Sequence, residues 1–229
     1  MDAKTTAVSA RLLHSSPTYR TYEVRVASHN PVTTTVTANP GVTRRWVYTT
    51  MWRSRRRLHS GAGPAVGMGV QWTPLFRRQG DEPRPGTLQL CYGRRCLVFQ
   101  IAQAAGAVPN VLRRFLEDAG VAFVAYNIRS DCRKLWAYHG LKVACPRELR
   151  AVTGMGNASI ERMAEQVLGW SGVKKPKWVG TSKWDGRRLS KKQVMYACSD
   201  AYISHCIAVG LGVKPDADTD TDSCSESDE

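Results

Sequence analysis

Val66-Gly67-Met68-Gly69-Val70-Gln71-Trp72 has the two-residue period of a β-strand. Val66, Met68, Val70 and Trp72 fall on one face; Gly67, Gly69 and Gln71 fall on the other. The first face is bulky and the second is nearly bare. Glycine brings no side chain to pack and loses more backbone freedom on folding than other residues, so it weakens a strand. A strand with glycines along one face marks a bulge, a packing point, or the close approach of a helix backbone or a ligand.

The flanking sequence extends this strand into a sheet. Residues 87–91 and 96–101 are β-rich and joined through Tyr92-Gly93, so with the glycine strand they form a three-stranded meander. Upstream, residues 19–27 alternate polar with apolar and Val32–Thr37 is β-branched, which predicts a hairpin at a sheet edge. Between these strands, Trp46, Val47 and Met51 recur at helical spacing among arginines, and a basic helix is expected over residues 44–58. Its cluster Arg53-Ser-Arg-Arg-Arg57 reads as a nuclear-import signal, a phosphate-binding patch or a solvated helix face.

Beyond the meander the pattern changes to alternating β and α. Pro109 with Leu112, Phe115 and Leu116 predicts a helix over 109–118, and a strand follows over 121–128. Ser130 is placed to cap a helix that carries Cys132, Leu135 and Trp136 inward. A helix is expected over 145–153, with Pro146 just inside its start and Gly154 just past its end. Ser159 opens the next, with Ile160, Met163, Val167 and Leu168 inward and Glu161 and Arg162 outward. Residues 171–184 read as a long loop carrying Lys174, Lys175, Lys177, Trp178, Lys183 and Trp184, a mixture of cations and indoles suited to a stacked single strand of nucleic acid. The longest helix is expected over 189–211, capped at Ser190, with Val194, Ala197, Ala201 and Ile207 among its apolar positions.

The totals narrow the class. At 229 residues, 42% hydrophobic and 23% charged, the chain can hold one sizeable core or two small ones. No window is apolar for long enough to cross a bilayer and the N-terminus lacks a secretory core, so an intracellular, non-membrane protein is expected. Residues 1–20 are rich in Ser, Thr and Arg with Asp2 the single acid, a pattern shared by transit peptides and tag-like termini. Seven scattered cysteines without paired spacing read as reduced thiols. The net charge of +14 conceals a division: seven of nineteen acids and no Lys or Arg lie in residues 216–229, which leaves residues 1–215 at +21. Such a body favours a polyanionic partner, DNA or RNA, because binding releases condensed counterions. The expected organisation is a flexible terminus over 1–18, one domain over 19–212, and a disordered acidic tail over 213–229.

Chemistry-bearing residues recur at matched spacing. Tyr196 and Asp200 are four apart on a predicted helix and share a face, and Asn127 and Asp131 repeat the spacing at a strand-to-helix junction. In combination with Leu88-Gln-Leu90, Arg95-Cys-Leu-Val-Phe-Gln100, Asn127-Ile-Arg-Ser-Asp131-Cys-Arg-Lys-Leu135, Trp184-Asp185, Arg188-Leu-Ser190 and Tyr196-Ala-Cys-Ser-Asp200-Ala-Tyr202, the glycine strand resembles the DEDDy 3′-5′ exonucleases. Within them the chain resembles specifically the plant proteins similar to the Werner syndrome exonuclease domain, over roughly residues 20–212. The resemblance implies an α/β fold: a ribonuclease H-like mixed sheet flanked by helices, the DEDD exonuclease fold.

It also implies a site. The family's second motif, Asn-x3-Asp, is intact at Asn127/Asp131, and its third, Tyr-x3-Asp, at Tyr196/Asp200. The first, Asp-x-Glu on the opening strand, is degenerate, because its two acids correspond to Gly69 and Gln71. In the family the carboxylates hold two Mg²⁺ or Mn²⁺ ions that stabilise attacking and leaving oxygens. Gly69 removes the ligand the ions share, Gln71 keeps a carbonyl oxygen without the charge, and Asp131 and Asp200 remain as weak metal ligands. The expected function is therefore a nucleic-acid-binding, exonuclease-like protein with weak or no hydrolysis, in the nucleus or cytoplasm. One alternative is an active metal-dependent 3′-5′ exonuclease in which Asp81, Glu82 or Glu23 substitutes. The other is a non-catalytic scaffold that pairs with itself or with active relatives.

Overall fold

In a computed structural model of the protein, the described residues are 8–27, 29–58, 64–74 and 83–215, with the backbone alone over 54–58. The expected residues Asp81 and Glu82 and the tail 216–229 lie outside them. The strands are β1 (Ser9–Ser15), β2 (Tyr19–Arg25), β3 (Val32–Thr37), β4 (Ala65–Trp72), β5 (Pro85–Tyr92), β6 (Arg95–Phe99), β7 (Ala122–Ala125) and β8 (Pro146–Glu148). They form one mixed sheet in the order β1-β2-β3-β6-β5-β4-β7-β8. The helices are α1 (Pro40–Leu58), α2 (Asn110–Leu116), α3 (Ile128–His139), α4 (Leu149–Thr153), α5 (Ile160–Leu168), the single turn α6 (Lys177–Gly180) and α7 (Lys191–Gly210). No helix among the described residues is long and apolar enough to cross a membrane.

The glycine strand is β4, and it lies inside the sheet between antiparallel β5 and parallel β7. Its bulky face, Val66, Met68 and Val70, packs with Trp46 and Val47 of α1, Leu112 and Phe115 of α2, and Leu135 of α3. The opposite face of the sheet is covered by α5 and α7, through Ile160, Met163, Val194, Ala197, Ala201 and Ile207. The bare face of β4 is explained at Gly67. A Cβ there would stand 1.8 Å from the carbonyl oxygen of Ala201 and 2.7 Å from the amide nitrogen of His205. The backbone of α7 thus rests directly on the strand. His205 fixes this contact: its Nδ1 lies 2.9 Å from the Ala65 carbonyl oxygen, and its Nε2 accepts the Gly93 N–H at 2.8 Å. One ring nitrogen donates and the other accepts, so the imidazole is held as a neutral tautomer that ties α7 to β4 and to the β5–β6 turn.

Several local expectations are corrected. Residues 9–15, assigned to a flexible terminus, form β1; a register shift between Leu12 and His14 and a largely exposed surface remove the alternation that would reveal a strand. α1 begins at Pro40 because the Asn39 side chain accepts the N–H groups of Gly41 and Val42 at 2.8 and 3.1 Å, with proline at the first helical position. The strand expected over 121–128 stops at Ala125, because Asn127 is left-handed (φ 65°) and α3 starts at once. Trp136 is 62% exposed rather than inward. Pro146 opens the edge strand β8 instead of a helix, and only Leu149–Thr153 is helical. Val213, placed in the tail, still closes α7 by donating its N–H to the Ala208 carbonyl at 2.9 Å.

Gly67→Ala is expected to destabilise the domain by more than about 3 kcal/mol, because the methyl group meets helix backbone that cannot rotate away. Gly69→Ala is expected to cost about 1 kcal/mol or less, since its Cβ meets only the end of the Gln89 side chain, at 3.0 Å. Chemical denaturation of both variants reads the difference.

Candidate active site

One cleft of about 300 Å³ gathers the residues singled out from sequence: Gly69 and Gln71 of β4, Asn127, Asp131 of α3, and Tyr196 and Asp200 of α7. It also contains Glu161 of α5 and Lys175 of the following loop. Sequence periodicity turned Glu161 outward and offered Lys175 to nucleic acid; both are corrected here. A larger groove of about 790 Å³ runs past Tyr19, Arg20, Gln100 and Arg187 and holds none of Gly69, Gln71, Asn127, Asp131, Tyr196 and Asp200.

Each acid is positioned by a local device. Glu148 performs the capping expected of Ser130: its two carboxylate oxygens accept the N–H of Asn127 at 3.1 Å and of Ile128 at 2.9 Å, an acid at a helix N-terminus. The side chain of Asn127 accepts from Arg150 Nη1 at 3.0 Å. One turn into α3, Asp131 is 4% exposed. Burial pushes its carboxyl well above the usual carboxylate range; the Val70 backbone N–H it accepts opposes this, and the negative charges of Asp200 and Glu148 add to it. β4 pairs with β7 only over Ala65–Gly67, and Asp131 satisfies the Val70 N–H beyond that point.

Asp200 is held from two sides. Gln71 Nε2 donates to its Oδ2 at 3.3 Å, and the Lys175 ammonium bonds its Oδ1. The same ammonium lies 3.5 Å from Glu161 Oε1 and 5.0 Å from the centre of the Tyr196 ring. Burial disfavours the Lys175 charge, but Asp200 and Glu161 outweigh it and raise its pKa above the ordinary lysine value. Burial raises the Asp200 carboxyl in turn, and Lys175 opposes that rise. Burial and the Asp200 charge raise Tyr196 as well.

A pair of divalent cations does not fit this donor set. Gly69 has no side chain, Gln71 presents a donor to Asp200 instead of a charge, and Lys175 places a positive group on Asp200. Among the described residues no group of three or more His, Cys, Asp or Glu is arranged to hold a metal ion. Glu23, considered as a substitute acid, pairs with Arg25 at 3.3 Å and Arg11 at 3.6 Å on the outer strands.

The expected nucleic-acid contacts divide. Lys174, Lys177 and Lys183 are exposed, and Trp178 is 58% exposed with the Lys192 ammonium 4.9 Å from its ring centre. Trp184 is fully buried, its Nε1 donating to the Gly180 carbonyl at 3.1 Å, and is corrected to a core residue.

Fold and site together define a nuclease-type α/β domain. The model of a 3′-5′ exonuclease family matches residues 62–213, and the chain belongs to that family. It is similar to a 3′-5′ exonuclease of Arabidopsis thaliana, 27% identical over 66% of this chain and 54% of the relative. It is also similar to the bifunctional 3′-5′ exonuclease/ATP-dependent helicase WRN of Mus musculus, 28% identical over 66% of this chain and 11% of that protein. The matched region thus spans about half of one relative and a small part of the other. Among solved structures, the catalytic core of RRP6 from Trypanosoma brucei superposes with a TM-score of 0.63 at 13% identity, covering 78% of this chain and 46% of that one. Escherichia coli RNase D gives 0.61 at 16% identity, with 78% and 44% covered. These likenesses show the fold.

The Asp131 geometry sets a pH dependence. Its folded-state pKa lies above the free value of 3.8, so folding favours the neutral carboxyl. That contribution is complete below the free value and is lost as pH rises through the raised one. Asp131→Asn, which keeps an acceptor for Val70 and cannot titrate, is expected to match or exceed the wild-type Tm at about pH 8 and to lose that advantage at about pH 4. Thermal denaturation at the two pH values checks the sign; a variant weaker at the higher pH would contradict it.

Proposed function

We propose that the chain is an exonuclease-family domain that binds DNA or RNA and hydrolyses it weakly or not at all. The observation that carries this reading is the state of Asp200: Gln71 and Lys175 occupy its two oxygens at the position where family hydrolysis needs open anionic ligands. Two-metal phosphodiester cleavage depends on carboxylates that hold both ions in register with attacking and leaving oxygens. With Gly69 and Gln71 on β4, the strand contributes neither.

Binding is supported by a different part of the surface. Residues 1–215 carry a net charge of +21, and Trp178 stands exposed between Lys177 and Lys192. An exposed indole among cations offers a base a stacking face beside charges that meet the phosphates. Trp178→Ala is expected to weaken single-strand affinity by about 1–3 kcal/mol. Affinity for every nucleic acid is expected to fall as salt rises.

The test is incubation of the purified protein with a 3′-recessed duplex, a single strand and an RNA, in Mn²⁺ and in EDTA. No metal-dependent shortening, together with salt-sensitive binding, is the expected result. Metal-dependent cleavage that disappears in Asp200→Ala would establish the active alternative. Weak, salt-insensitive association would favour a scaffold that pairs with other proteins.

A further inference from the structure

We propose that the Lys175 ammonium is the resident cation of the cleft: a tethered positive charge that takes over the neutralising role of a divalent ion and excludes one. The inference deepens the proposed loss of hydrolysis and assigns it a cause beyond the missing acids.

A lysine whose side chain is 7% exposed is costly unless its charge is matched. Here it is matched on three sides, by Asp200 from α7, by Glu161 from α5 and by the face of Tyr196. Two carboxylates from separate helices converge on Nζ as they would on a metal, except that a single charge replaces two. The chain holds the lysine in this position by its neighbours. Val173, 4% exposed, and Val179, fully buried, anchor the loop on either side of it. Pro176 then starts the α6 turn, so the backbone at Lys175 is fixed between two buried contacts.

Gln71 belongs to the same arrangement. A glutamate there would add a negative charge beside Asp200; the carboxamide instead donates an N–H to it. Glutamine and lysine together leave Asp200 doubly bonded and compensated. Restoring the two β4 acids therefore leaves the Lys175 charge on Asp200, where a metal ion would be repelled by the ammonium and would have to compete for the same oxygen.

The test is Mn²⁺ uptake, followed by the loss of the free-ion paramagnetic resonance signal, in wild-type protein, Gly69→Asp/Gln71→Glu, and the same pair combined with Lys175→Met. Little uptake by the wild type, and at least tenfold tighter binding by the triple variant than by the double, is the expected result. Equal affinity of the double and triple variants would overturn the proposal. That result would leave the missing acids as the sole cause of inactivity and the proposed function intact, whereas wild-type uptake accompanied by cleavage would remove the proposed function itself. A second measurement covers variants that fold poorly. Lys175→Met alone should lower Tm, and adding Asp200→Asn should recover part of the loss, because it removes the stranded carboxylate. An unchanged Tm in Lys175→Met, or no recovery, would count against a cation role.

Discussion

The contact on which the structure depends is the backbone of α7 lying against Gly67. A Cβ at that position would fall 1.8 Å from the Ala201 carbonyl oxygen, so the helix can sit this low only over glycine. β4 and α7 run in opposite directions, and their closest approach near Ala201 and His205 brings the preceding turn of the helix toward Gly69 and Gln71. The bond between Gln71 and Asp200 follows from that spacing. His205, bonded to Ala65 and Gly93, sets the helix along its axis at the other end. The site is thus a consequence of the way the helix packs.

Low dielectric makes the charges in this cleft decisive. Burial raises the carboxyls of both Asp131 and Asp200, and the Asp200 charge adds to the rise at Asp131. Buried carboxylates require positive charge or hydrogen-bond donors. In a metal-dependent nuclease, cations supply that charge from solution. In this chain it comes from Lys175, and donors come from Gln71 and the Val70 backbone. The thiols show the contrasting case. Cys91, Cys96 and Cys198 lie together in the core, and burial pushes all three above their ordinary value, so they remain neutral and need no such compensation.

Sequence was most informative where pattern and packing coincide. The alternation of β4 disclosed both its faces, the four-residue spacings paired Asn127 with Asp131 and Tyr196 with Asp200, and the structure gathers all four at one cleft. The ribonuclease H-like sheet was implied by the resemblance to the exonuclease family, with which the meander and the later β/α alternation agree. The omissions share a physical cause. Lys175 and Glu161 are ionisable residues on a loop and on an amphipathic helix, where solvent exposure is the ordinary expectation; the inward placement of Lys175 depends on Asp200, distant in sequence, and Glu161 turns toward Lys175 in its turn. Trp184 looked like an exposed indole because its acceptor, Gly180, is a backbone carbonyl and leaves no trace in residue type. A lysine between Val173 and a proline-led turn was the available signal for burial at 175, and it is weak.

The motif residues also serve the fold. Asp131 is the hydrogen-bond partner of a β4 N–H that its neighbouring strand does not reach. Asp200 anchors a loop through Lys175, and Tyr196 packs near Trp184 with its ring centre 6.0 Å away while lending its face to the same ammonium. Each has a structural partner inside this chain. Gly69 and Gln71 bring no charge to that part of β4, and Gln71 instead donates to Asp200. Asp131 and Asp200, the two motif carboxylates present, thus lie where the protein itself supplies a donor or a positive charge.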